Sequence, residues 1–171
     1  MSKWKTLLAI PLVILAACQP TAEQESDSGV SFQVSFSAAL TEESQDGRLL
    51  LMLSTLDDNE PRFQVDNSPD TQLIFGVNVS GWGPDTATIV DASAIGFPLS
   101  DLSEVPPGTY YAQALLNRYK DFHLANGKVV SLPPDRGEGQ QWNRKPGNFY
   151  SEPIKVEIGA QGGISFALVM D

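Results

Sequence analysis

The chain has 171 residues, with 21 Asp and Glu against 11 Lys and Arg and a formal charge of -10 at pH 7. So acidic a balance leaves no basic face broad enough to neutralise a phosphate backbone, which excludes nucleic acid as a partner. The single cysteine excludes an internal disulfide framework, and 42% hydrophobic with 19% charged residues is the composition of a folded domain rather than of an acidic disordered tail.

The chain opens with MSKWKTLLAIPLVILAAC, in which Lys3 and Lys5 precede an apolar stretch from Leu7 to Leu15. That stretch is shorter than the roughly 20 residues that span a bilayer, and it has the layout of a secretory signal peptide. It ends in Leu15-Ala16-Ala17-Cys18, which resembles the lipobox of bacterial lipoproteins. The resemblance implies that residues 1–17 are removed and that Cys18 carries diacylglycerol and palmitate-type chains, which anchor stably because there is more than one. Gln19 stands where an aspartate commonly retains lipoproteins in the inner membrane, so the resemblance implies the outer membrane, facing the periplasm. Residues 19–29, QPTAEQESDSG, hold no aliphatic side chain larger than Ala; with the anchor they form an expected tether over 18–29, reaching roughly 20 Å.

From residue 30 the period becomes two. Val30, Phe32, Val34 and Phe36 alternate with Ser31, Gln33, Ser35 and Ser37, which predicts a strand with one wet face. The alternation returns in Leu73, Phe75, Val77 and Val79, in Ile154, Val156 and Ile158, and in Ile164, Phe166, Leu168 and Met170. Arg48 to Thr55 is apolar on both faces, as a central strand is. Thr86–Asp91, Thr109–Tyr119 and Lys128–Leu132 add further strands, and Gln45-Asp46-Gly47, Asp57 to Pro61, Trp82 to Asp85, Pro106-Pro107-Gly108 and Asn126-Gly127 read as turns. Ser100 to Glu104 has room for one short helical turn. The expected fold over 30–171 is all-β, an immunoglobulin-like antiparallel β-sandwich of about eight or nine strands, with a partly open barrel as the alternative. Val105-Pro106-Pro107-Gly108-Thr109-Tyr110-Tyr111 resembles the tyrosine entry to a late strand of such sandwiches, which implies that a Tyr hydroxyl ties back to the preceding loop.

No chemistry of a known type is legible. His123 is the only histidine; it has no Gly-x-Ser-x-Gly elbow to serve, and a catalytic zinc usually needs several His or Cys ligands. It reads as a loop or strand-end residue. Asp57, Asp58, Asn59, Glu60, Asp66, Asn67 and Asp70 offer oxygen atoms without the spacing of a calcium loop, and read as solvated acidic turns. The expectation is therefore a chain with no catalytic residues, metal or cofactor.

Asp135 to Tyr150, DRGEGQQWNRKPGNFY, is the least regular segment. Its amides, guanidinium groups and aromatic rings are what a glycan- or peptide-binding surface uses, which makes Arg136, Gln140, Gln141, Trp142, Asn143 and Arg144 the candidate partner contacts. The alternative is a structural loop whose Trp142 packs on the sandwich and whose polar groups bond its own backbone.

Taken together, DGRLLLMLST, EPRF, FGVNVSGW and PPGTYYAQALLNRYKDFHLANGKVVSLPPDRGEGQQWNRKPGNFYS resemble the accessory domain that precedes the α/β-hydrolase domain in bacterial enterochelin-esterase-like putative esterases, over about Asp46 to Ile158. The resemblance implies a β-sandwich module and supplies no catalytic position, because that family's serine elbow lies in the hydrolase domain. Two functions stay open: a membrane-anchored, non-catalytic interaction module with a glycan or peptide ligand, and an accessory subunit or remnant acting with a separately encoded hydrolase.

Overall fold

Phe32, Val34 and Phe36 are fully buried in a strand whose Gln33 is exposed, so the period-two pattern sorts side chains between core and water as the sequence implies. The computed structural model describes residues 29–135, 137, 139, 141–159 and 164–170. These form strands β1 (Ser31–Phe36), β2 (Gln45–Ser54), β3 (Leu73–Trp82), β4 (Thr88–Val90), β5 (Ile95–Phe97), β6 (Gly108–Arg118), β7 (Lys120–His123), β8 (Val129–Leu132), β9 (Phe149–Tyr150), β10 (Ile154–Ile158) and β11 (Ser165–Met170). Short 3-10 turns occupy Pro61–Phe63 and Leu102–Glu104. The second of these falls within Ser100 to Glu104, and its Asp101 caps Ser103 N at 2.8 Å.

The architecture is all-β. A three-stranded sheet, β11-β1-β4, faces a larger sheet, β10-β6-β2-β3-β5, and β9 adds to β6. Between them lie Phe32, Val34, Phe36, Val90 and Leu168 from the small sheet and Leu49, Leu51, Leu53, Phe75, Ala112, Ala114 and Leu116 from the large one. Burying each large side chain is worth about 1.5–3 kcal/mol. The sheets keep separate ladders, joined at one corner by the bridge Ser151↔Met170, which favours the sandwich over the barrel.

Three findings differ from the expectation. β1 and β11 run parallel, Ser31 opposite Ser165 and Phe36 opposite Met170, because both strands enter the small sheet from the same pole; the other strand pairs are antiparallel. Gln45-Asp46-Gly47 is not a turn but the start of β2, at a bulge against β3. There Asp46 Oδ1 accepts from Gly81 N at 2.8 Å, and Gly47 lets the Asn117 carbonyl approach where a Cβ would collide. The short strands β5, β7 and β9 are additional to those expected.

The poles of the sandwich are distinct. The Phe36 ring meets Trp82 at 5.1 Å and Phe149 at 5.7 Å, and those residues pair with Gln45 and Leu116. The end of β1 therefore lies beside the ends of β3 and β6 and the start of β2, whereas Ser31 N bonds Ile164 O at the opposite pole.

Candidate functional site

β2 lies between β3 and β6, and its second face is also covered: Met52, Gln113 and Leu115 are fully buried although they point away from the sandwich core. The Pro61–Phe63 turn packs on β2 and β6 there, and the segment before β9 packs beside it. A buried amide needs its full set of partners. Gln113 Oε1 accepts from Arg62 N at 3.1 Å, and its Nε2 donates to Glu60 Oε2 at 2.7 Å and to Ser151 O at 2.9 Å. Ser151 Oγ accepts from Ala114 N at 3.1 Å.

Above this amide, Glu60 grips Arg62 in a fork, Nε to Oε2 at 2.8 Å and Nη2 to Oε1 at 3.2 Å. The guanidinium lies 3.7 Å from the Tyr150 ring centroid and 4.5 Å from that of Phe63. Burial pushes the Glu60 carboxyl up, but hydrogen bonds from Arg62 and Gln113 and the Arg62 charge together hold it below the usual carboxylate range.

The stretch from Gln141 to Tyr150 is docked on this platform by its amides. Asn143 Nδ2 donates to Arg62 O at 3.0 Å and Asn143 O accepts from Arg62 Nη1 at 3.4 Å. Asn148 Nδ2 donates to Trp142 O at 2.9 Å while its Oδ1 accepts from Arg118 N at 3.1 Å. Lys145 Nζ reaches Asn117 Oδ1 and Arg118 O, both at 3.3 Å. Arg118 bonds Gln45 Oε1 at 2.6 Å and Gly147 O at 3.1 Å and lies over Phe149 at 4.6 Å.

Among the candidate contacts, Gln141 and Arg144 are exposed, and Trp142 and Asn143 are half-buried. Arg144 lies 5.0 Å from the Phe63 ring centroid. Cys18, Arg136 and Gln140 lie outside the described residues. The Lys145–Asn148 stretch is a wall between two clefts. One, about 500 Å³ and open, is lined by Arg62, Phe63, Arg144 and Tyr150; the other, about 220 Å³, by Arg118, Lys120, Pro134 and Pro146. Trp142 faces a smaller recess with Asn117, Pro133 and Pro134.

No family model matches the chain, and neither a curated protein nor a solved structure is significantly similar to it.

Sequence reasoning missed Glu60, Arg62, Phe63 and Gln113 as part of this surface. The available signal was the short stretch Glu60-Pro61-Arg62-Phe63, an ion pair and a ring around a proline that the β pattern does not explain. Elsewhere, His123 ends β7 and is exposed. The acidic turns spend oxygen atoms locally: Asp57 Oδ2 accepts from Tyr111 OH at 2.9 Å and Asp66 Oδ1 from Ser68 N at 2.7 Å. Among the described residues no group of three or more His, Cys, Asp or Glu is arranged to hold a metal. What the site offers is a surface of rings and guanidinium groups, with Arg144 and Gln141 exposed.

Proposed function

We propose that the protein is a non-catalytic lipoprotein of the bacterial cell envelope, anchored through lipid on Cys18 to the outer membrane, whose immunoglobulin-like sandwich carries a partner-binding surface on the segment 135–150. The observation that carries this reading is a division of labour within the segment. Asn143 and Asn148 are spent on fastening it to Arg62 and Arg118, whereas Arg144 and Gln141 face solvent. A loop held this firmly binds with little ordering cost, which is how a preorganised surface gains affinity. The Tyr110 hydroxyl, 2.8 Å from Pro106 O, supports the immunoglobulin-like reading.

A second reading, an accessory subunit of a separately encoded hydrolase, is favoured by one observation. EPRF and the long final stretch, which carry the resemblance to hydrolase-associated domains, assemble into a single surface.

The test is affinity capture from detergent-solubilised membranes with the full chain and with the double variant Arg136→Ala, Arg144→Ala. A retained glycan or peptide that the variant loses supports the binding module; a stoichiometric hydrolase supports the accessory subunit; unaltered capture by the variant ends the assignment of this surface. Cys18→Ser is expected to release the protein from the membrane and abolish acyl labelling, and persistent labelling would overturn the anchor. Ester hydrolysis that is lost in a well-folded His123→Ala variant would overturn the non-catalytic reading.

A further inference from the structure

We propose that the cleft beyond the Lys145–Asn148 wall, with the β7–β8 hairpin that rises from it, binds an extended acidic peptide segment of a partner protein. This surface lies across the Lys145–Asn148 wall from the exposed Arg144 of the reading above.

The first observation is charge. Among the described residues the cleft is lined by Arg118 and Lys120 with Tyr119, Pro134, Pro146, Gly147 and Asn148, none of them acidic. In a chain of 21 acids against 11 bases, a hollow whose described charged lining is cationic stands out against the overall charge. It rewards a carboxylate-bearing ligand at contact while the rest of the surface repels it.

The second observation is the hairpin. β7 and β8 pair only with one another among the described residues, and all their residues but Val130 are exposed. The pairs Lys120↔Leu132 and Phe122↔Val130 set Lys120, Phe122, Val130 and Leu132 on one face, because directly opposed residues share a face. The other face carries Asp121 and Ser131, which line a separate groove with Asp46 and Asn78. Lys120 lies at the cleft, so the apolar face adjoins the cationic one. Phe122 is 41% and Leu132 51% exposed.

An apolar strip that runs into a cationic cleft matches an extended ligand whose apolar residues lie along the strip at one end and whose acidic residues enter the cleft at the other. Apolar side chains at alternate positions of an extended peptide recur at about 7 Å, the repeat of Phe122 with Lys120 along β7 and of Val130 with Leu132 along β8. The hairpin's outer edges also offer backbone groups to an added strand. A glycan has no such succession of apolar side chains and carboxylates.

The experiment uses the full chain in detergent and a fluorescein-labelled peptide of about ten residues, with Leu at alternate positions of one half and Glu in the other half, long enough to reach from the hairpin into the cleft, read by fluorescence anisotropy. A Leu/Lys peptide of equal length and anionic phosphatidylglycerol vesicles are the comparisons. The expected result is binding of the Leu/Glu peptide alone, weakened about tenfold or more by Lys120→Glu and likewise by Phe122→Ser or Leu132→Ser, and unchanged by Arg144→Ala. These are exposed positions, and melting curves confirm that each variant folds. No measurable binding of the Leu/Glu peptide, equal binding of the Leu/Lys peptide, preferred binding to vesicles, or indifference to Lys120→Glu would overturn the proposal. Loss with Arg144→Ala alone would also overturn it, since the ligand would then sit on the other side of the wall.

Discussion

The guanidinium of Arg62 stacks 3.7 Å from the ring centroid of Tyr150, two residues far apart in sequence and joined only because the turn before β3 and the strand β9 cover the same patch of β6. This contact and the Glu60 fork hold the guanidinium in place. Arg62→Lys keeps the charge but loses the planar fork and the stacking. It is expected to cost about 1–2 kcal/mol and to raise amide exchange in residues 141–148; unchanged exchange there would show that the segment does not depend on the platform.

Gln113 is the buried support of the same platform. Gln113→Leu keeps the volume approximately but leaves Arg62 N and Ser151 O without their partner in a buried site. The expected loss is about 2–3 kcal/mol in urea unfolding, and a loss below about half a kcal/mol would mean that water replaces the amide.

Acid should weaken the fold through specific carboxylates. Glu60 sits below the usual range for the reasons given above; so do Asp46, through Gly81 N and Ser80, and Asp91 and Asp101, through Ser93 and Ser103. A carboxyl depressed in the folded state stabilises it above the unfolded-state value and loses that contribution as pH falls through the folded value. Stability is therefore expected to be flat near neutrality and to fall below the ordinary carboxylate range. Glu60→Gln should be less stable at neutral pH, and its deficit should shrink as the wild type is acidified; a deficit constant with pH would remove Glu60 from this account.

Tyr110→Phe isolates one hydrogen bond. The ring is 6% exposed and stays packed, while Pro106 O loses the hydroxyl at 2.8 Å. The expected cost is about 0.5–1.5 kcal/mol, read as a lower urea midpoint with an unchanged slope.

Legibility in the sequence followed the range of the forces involved. Phe32, Val34 and Phe36 announce their burial by alternation alone, and Leu49, Leu51, Met52 and Leu53, all fully buried, announce a strand covered on both faces. The Pro61–Phe63 turn is silent, because what makes it matter is a buried glutamine 51 residues beyond Arg62 that no periodicity marks. Phe149–Tyr150 is too short to show a period, and its pairing to Leu115 and Leu116 is decided by β6. In the segment 135–150 the residue types pointed to polar recognition, yet which amides face inward and which outward depends on Arg62 and Arg118.

The parallel pairing of β1 and β11 has a mechanical consequence. The chain enters at Ser31, and β1 runs toward the pole where the two clefts lie, hydrogen-bonded to β11 on one side and to Thr88–Val90 of β4 on the other. A pull on the polypeptide upstream of Ser31, resisted by a partner held at the far pole, is directed along β1 and loads both ladders in shear. Their bonds must then give way together rather than one by one, so the first strand of the sandwich is also the one best oriented to carry tension.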